Sequence, residues 1–201
     1  MNALVSLIAA YLLGGIPFGY LLVKWTSGCD VRSAGSGNIG ATNVLRTTGR
    51  AAGIATLALD IAKGYAAVWT AGRLTHGSPL WMSAAVLAVM AGHAFPVLLK
   101  FQGGKAVASC VGAFLCLAPV PLAAVLVVFL VTVTITRLIS LGSILAAASL
   151  PLAVWIISHP PLAVVAAALA AGGFIIWRHK PNIERLRAGK EHVFSFGGRR
   201  P

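Results

Sequence analysis

Six apolar stretches, at residues 1–23, 51–72, 79–99, 106–136, 138–157 and 162–177, fill most of the 201-residue chain and confine its charge largely to the segments between them. A helix needs about 20 residues to cross a hydrocarbon core of about 30 Å, within a range of about 17–25. Runs of this length and number cannot be buried in a soluble core and belong in lipid. The composition agrees: 58% of residues are hydrophobic, 10% are charged and the mean hydropathy is +0.89, whereas a soluble domain carries about 25% charged residues. The expected fold is an all-α integral membrane protein, with residues 1–201 forming one membrane-embedded domain.

The first stretch has no charge before Lys24. A secretory signal places its positive charge first and a short apolar core after it, so this segment reads as a retained anchor whose Lys24 end faces the cytoplasm. The stretch at 106–136 holds 31 uncharged residues, and as one helix it would extend about 46 Å at about 1.5 Å per residue. Pro119 and Pro121 fall near its middle, where proline removes a hydrogen bond and clashes with the preceding turn. Two helices are expected there, making seven crossings.

The basic residues test that count, because they accumulate on the cytoplasmic side. Seven crossings with the N-terminus outside and the C-terminus cytoplasmic place Lys24, Arg32, Arg46, Arg50, Lys100, Lys105, Arg137, Arg178, Lys180, Arg185, Arg187, Lys190, Arg199 and Arg200 inside, 14 of the 16. Arg73 falls outside and Lys63 within a helix. Six crossings would move Arg137 and the basic tail outside, against the rule.

The formal net charge of +12 raises the question of a nucleic-acid partner, but the cations sit in short clusters at the ends of apolar runs, as membrane-boundary residues do. No nucleic acid is expected. The cysteines, Cys29, Cys110 and Cys116, are odd in number and lack a framework spacing, and the histidines lack metal-binding spacing, so neither disulfide nor metal is inferred.

Function must lie in the segments between the runs. Residues 33–50 read SAGSGNIGATNVLRTTGR. Glycine-rich backbone bends sharply and presents amide N–H groups that suit a phosphate, although the P-loop spacing is absent. A flexible connector is the alternative; Ser36, Asn38, Thr42, Asn43 and Arg46 within eleven positions favour a polar ligand site. Residues 100–105, KFQGGK, follow GHAFP at 92–96. Gly103 and Gly104 would let the backbone approach a ligand, and Lys105 supplies a compact positive charge; a Gly-Gly turn flanked by boundary lysines is the alternative. His93 reads either as a packed, hydrogen-bonded residue or as a base.

Asp60 and Lys63 lie three residues apart and share a helical face. Charges in lipid cost about 2.5–3.5 kcal/mol each on insertion scales, so the two should pair, either to fix the helices or to support the 36–46 loop. The SLGS run at 140–143 reads as helix-capping serines or as an anion site. The segment at 178–191 reads as a polybasic tail on a lipid surface, a role that does not need Asn182 or Glu191.

Taken together, GSGNIGATNVLR at 35–46, LDIAKG at 59–64, GHAFP at 92–96, FQGGK at 101–105, SLGS at 140–143 and HKPNIERL at 179–186 resemble, in order and spacing, the bacterial acyl-phosphate:glycerol-3-phosphate acyltransferases, the PlsY family. The resemblance implies transfer of a fatty acyl group from acyl phosphate to the 1-hydroxyl of glycerol 3-phosphate, giving lysophosphatidic acid and phosphate in phospholipid biosynthesis. It further implies a multi-pass protein of the bacterial cytoplasmic (inner) membrane with its site on the cytoplasmic side. No cofactor is expected; the partners are the two substrates, membrane lipid and a soluble enzyme that makes acyl phosphate.

By the same resemblance Ser36, Asn38, Arg46, Lys105, Ser143, His179 and Asn182 bind substrate. Of these, Arg46, Lys105 and His179 are taken as catalytic, with Asn43, Asp60, Lys63, His93, Gly103 and Gly104 in support. Ala106 and Ser109 stand where the family's GGKGVAT run has Gly and Thr. The mixed anhydride is already activated, and the loops carry neither a Ser-His-Asp triad nor an H-x-x-x-x-D pair. Direct attack is therefore expected, with His179 or a substrate phosphate accepting the proton. An anion transporter or channel is the competing class, but the outer loops at 73–79 and 158–161 offer little ligand chemistry. A scaffold for acidic lipid would leave the Ser and Asn residues unused.

Overall fold

A computed structural model describes residues 1–194, all helical and divided into two compact units, one ending at Leu117 and the other beginning at Ala118. Arg199 and Arg200 of the basic tail lie outside the described residues. The first unit contains α1 (Asn2–Gly14), α2 (Phe18–Ser27), α3 (Ala41–Thr47), α4 (Arg50–Leu74), α5 (Pro79–Ala94) and α6 (Val107–Leu117). The second contains α7 (Pro119–Thr136), α8 (Ile139–Ser158), α9 (Leu162–Arg178) and α10 (Lys180–Arg187).

The apolar runs become helices at nearly the expected bounds, with one difference. The first run is two helices, parted at residues 15–17. Pro17 has no N–H to donate and biases Ile16 away from helical backbone, and the adjacent Gly14 and Gly15 favour helix least among residues that can donate. The Ile16 carbonyl freed by this break accepts from the Phe18 N–H at 3.1 Å and from Lys63 Nζ at 2.8 Å. The 106–136 run divides as expected: α6 stops at Leu117 and α7 starts on Pro119, a first-turn position whose N–H needs no helical partner.

Five helical segments are long and apolar enough to cross a membrane: Asn2–Ser27, Arg50–Leu74, Pro79–Leu99, Pro119–Thr136 and Ile139–Ser158. The α9–α10 pair, bent by 57°, makes a sixth candidate. With 11 residues, α6 extends only about 17 Å. The outward faces are apolar, with Val127, Leu130, Val131 and Ile135 of α7 and Leu152 and Ile156 of α8 all exposed. Such surfaces are satisfied by lipid, and the chain is an integral membrane protein.

Inside the first unit, α4 packs against α1, α2, α3, α5 and α6. Its crossing with α6 is reciprocal: a methyl on Gly64 would strike the Ser109 carbonyl, and one on Gly112 would strike the Ile61 carbonyl. The α1–α5 crossing repeats the device, with Gly14 against Val89 and Gly92 against Tyr11. Small residues at these points bring backbones together where apolar burial alone gives no drive. A separate core of Val23, Val31, Ile39, Val44 and Leu99, flanked by Tyr20 and Ala52, anchors the segment between α2 and α3. In the second unit α8 packs on both α7 and α9, and the chain turns at His179 into α10.

Candidate active site

The glycine-rich segment is an ordered loop, and Asn43 organises it. This side chain is buried on α3. Its Nδ2 donates to the carbonyls of Val31 (3.2 Å), Ala34 (3.1 Å) and Asn38 (2.9 Å), while Oδ1 accepts the Ser36 N–H at 2.8 Å. Four backbone groups on one amide exclude the connector reading. The bonds also change the expected use of the glycines. The Gly37 N–H donates to the Ala34 carbonyl and the Gly40 N–H to Asn38 Oδ1, so these amides serve the turn. Chemistry toward a ligand falls to exposed side chains, Ser36 on the loop and Arg46 in the last turn of α3.

Upstream, Asp30 accepts from the Arg32 backbone N–H at 2.9 Å and from its guanidinium at 2.7–3.1 Å. The Arg32 guanidinium holds the Asp30 carboxyl below its usual range, and the carboxylate raises Arg32 in return.

The second loop folds back on the end of α5. The Gly103 N–H donates to the Ala94 carbonyl at 3.0 Å and the Gly104 N–H to the His93 carbonyl at 3.1 Å. A methyl on Gly103 would strike the His93 carbonyl and the Pro96 ring, and one on Gly104 would strike His93 Nε2. The space expected for a ligand beside these α-carbons is therefore filled by α5. Half-buried Lys105 follows, and then Ala106, buried and at φ +60°. A left-handed conformation costs a β-carbon about 1–2 kcal/mol, a cost that the glycine expected here from the resemblance would avoid.

Beneath this loop lies a buried polar array. Lys63 Nζ is 2.8 Å from Asp60 Oδ1 and lies over the Phe18 ring at 5.6 Å. The same carboxylate oxygen is 3.7 Å from His93 Nδ1, which also faces Ser109 Oγ at 3.3 Å. The expected Asp60–Lys63 pair thus exists, but these contacts run to the α1–α2 break and to His93, not to residues 36–46. Ser109, noted in the sequence only as a departure from the family's run, and the Ile16 carbonyl, exposed by the break at Pro17, are members that sequence reasoning did not assign to this array.

In the second unit His179 is buried at the α9–α10 turn, its Nδ1 2.8 Å from the Ile175 carbonyl. A carbonyl only accepts, so Nδ1 carries the proton; in a neutral ring Nε2 is then the acceptor nitrogen. Asn182 Nδ2 donates to Glu191 Oε1 at 2.8 Å, and Arg185 Nε donates to Glu191 Oε2 at 2.8 Å. Burial raises the Glu191 carboxyl, but the bonds from Asn182 and Arg185 outweigh it and hold the group below its usual range. Ser143 Oγ donates to the Ile139 carbonyl at 2.9 Å, and α8 begins on an N-cap Leu138 with no side-chain cap. Both serines of the SLGS run are inside the helix, so the capping reading is corrected. The tail is likewise more than a solvated cationic run, since Asn182 and Glu191 tie it into a closed turn.

The glycerol-3-phosphate acyltransferase family model matches residues 4–189. The chain belongs to this family. Relatives of that name share 49% identity over 92% of the chain and 94% of the protein from Trichlorobacter lovleyi, and 45% over 96% and 98% for Geobacter sulfurreducens. The crystal structure of PlsY (YgiH), an integral membrane glycerol 3-phosphate acyltransferase, in its glycerol 3-phosphate form superposes with a TM-score of 0.91 at 38% identity, covering 97% of this chain and 96% of that one. Its lysophosphatidic acid form gives 0.88 at 36%. Every expected site residue of the family member lies within the matched segment, while the Glu191 clamp lies two residues beyond it. An acid at the end of a basic tail was the one available sign of that clamp.

Proposed function

We propose that this acyltransferase moves a fatty acyl group from acyl phosphate to the 1-hydroxyl of glycerol 3-phosphate, releasing phosphate and forming lysophosphatidic acid. The reading is carried by the loop that Asn43 knots into place, which sets Ser36 and Arg46 outward on a scaffold otherwise built for lipid. Ser36 and Asn38 contact substrate oxygens. Arg46 and Lys105 offset phosphate repulsion and stabilise charge developing on the departing phosphate. From the family resemblance, Asn182 and Ser143 are assigned to substrate binding and His179, through Nε2, to accepting the hydroxyl proton; a substrate phosphate is the alternative acceptor.

The hydroxyl oxygen attacks the acyl carbon, the acyl–phosphate bond breaks and no acyl-enzyme forms. Donor and product keep their chains in lipid, where each buried CH₂ contributes about 0.8 kcal/mol. We place the reaction on the cytoplasmic side of the bacterial inner membrane, with seven crossings, α6 the shortest, the N-terminus outside and a soluble enzyme supplying the donor.

The test is incubation of purified protein with labelled glycerol 3-phosphate and synthetic acyl phosphate. Lysophosphatidic acid is expected. Its absence, with label instead crossing a vesicle wall, would favour a transporter. A covalent acyl-protein adduct after donor addition would overturn direct transfer.

A further inference from the structure

We infer that His93 is a positioning residue for Lys105, acting through the edge of its imidazole against Gly104 and held in place by Asp60 and Ser109. The inference rests on the assignment of Lys105 to substrate phosphate.

Lys105 belongs to a short segment whose preceding backbone is pinned at successive residues. Gly103 and Gly104 donate to the carbonyls of Ala94 and His93, so the loop is tied to the last turn of α5. Main-chain bonds fix the loop's distance from α5; its depth is set by what lies beneath Gly104. That neighbour is the His93 ring, with Nε2 occupying the space of a β-carbon on Gly104. A ring used as a floor must not rotate. His93 is buried, and its Nδ1 lies between Ser109 Oγ at 3.3 Å and Asp60 Oδ1 at 3.7 Å. Asp60 is in turn fixed by Lys63 at 2.8 Å. One residue past Lys105, Ala106 in the left-handed region sets the chain's direction into α6. The ammonium is therefore carried on backbone fixed on both sides, with the imidazole edge packed directly against Gly104. Positions within about 0.5 Å matter for such a group.

The test uses His93→Asn, which keeps a polar group near the Nδ1 position for Asp60 and Ser109 but removes the ring edge. Compared with it are Gly104→Ala, which drives a methyl into that edge, and the double variant, all purified in detergent and checked by thermal unfolding. The expected result is a rise of about tenfold or more in KM for glycerol 3-phosphate in both single variants, with smaller changes in kcat. In the double variant the added methyl occupies the space the ring has left, so its KM is no worse than that of Gly104→Ala alone. An unchanged KM in folded His93→Asn would overturn the inference, as would losses that multiply in the double variant or a fall in kcat alone that tracks lost folded protein. If His93→Asn does not fold, the relief of Gly104→Ala by His93→Ala is decisive by the same criterion. Normal acceptor kinetics in Lys105→Ala would instead overturn the phosphate assignment beneath it.

Discussion

Neutralising one member of the Asp60–Lys63 pair should be far more damaging than neutralising both. The two side chains are 2–3% exposed and 2.8 Å apart, a separation worth about 6 kcal/mol of gross attraction at an effective dielectric constant of about 20. Most of that offsets the cost of removing the charges from water, so the informative quantity is the cost of leaving one behind, about 3–5 kcal/mol for a buried pair. Asp60→Asn removes the countercharge and leaves the Lys63 ammonium with neutral oxygens alone among the contacts described above, the new amide oxygen and the Ile16 carbonyl. Lys63→Met leaves the carboxylate facing His93, while Ile16 still accepts from Phe18. In the combined variant no charge is stranded, and the expected loss falls to about 2 kcal/mol or less, giving a coupling of at least about 4 kcal/mol. For a chain of this size a loss of about 3–5 kcal/mol lowers Tm by roughly 6–20 °C. Unfolding in detergent micelles, followed by helical circular dichroism for wild type, both singles and the double, completes the cycle. Additive losses would refute the argument, because they would mean that each charge is solvated independently of the other.

Arg46→Ala and Lys105→Ala should each remove most acyl transfer while leaving Tm within a few degrees, and near-normal activity in both would sink the phosphate assignment. Asn43→Asp replaces a donor facing three carbonyls with an acceptor, and at about 0.5–1.5 kcal/mol per lost bond it should cost about 2–4 kcal/mol and most activity; Asn43→Ser, a smaller residue with one donor, should fall between, and the ranking is read from kcat/KM and Tm. Glu191 is held below its usual carboxylate range when folded, so its stabilising contribution is present above the unfolded value and is lost as pH falls through the lower folded one. Tm should therefore drop below about pH 4.5, with a shallower drop in Glu191→Gln; identical profiles would show that the clamp contributes nothing. Gly112→Leu should force α4 and α6 apart and abolish folding, whereas Gly173→Leu, where a β-carbon meets nothing within 4 Å, should be tolerated; equal expression of folded protein would contradict the close-packed crossing.

The membrane crossings were legible because apolar runs and proline carry local meaning: Pro119 ends one helix and begins another by its own covalent structure. Pro17 was not read that way, since the run containing it has the right length for a single crossing and gives no reason to look for a break. The short helices α3 and α10, with 7 and 8 residues, are stabilised by tertiary bonds and leave no hydropathy signature. At the candidate site residue types were legible and partners were not. Asn43 announces a polar role, but its four bonds are a property of the folded loop. The glycine pair at 103–104 signals close approach without saying to what, and the occupant is His93. Glu191 stood out as unneeded in a polybasic tail but was given no partner, because its partners lie six and nine residues away, across a turn that hydropathy does not reveal.

The kink at Ile16 also has a history in time. Its carbonyl is completed by an ammonium 47 residues further along the chain, and a ribosome adding about 5–20 residues per second needs roughly 2–9 s to deliver it. During that interval the kinked amino-terminal span carries an oxygen short of one donor, a cost that favours a shallow, hydrated position over deep immersion. Arrival of Lys63 removes that incentive, so the second crossing segment to emerge also seats the first.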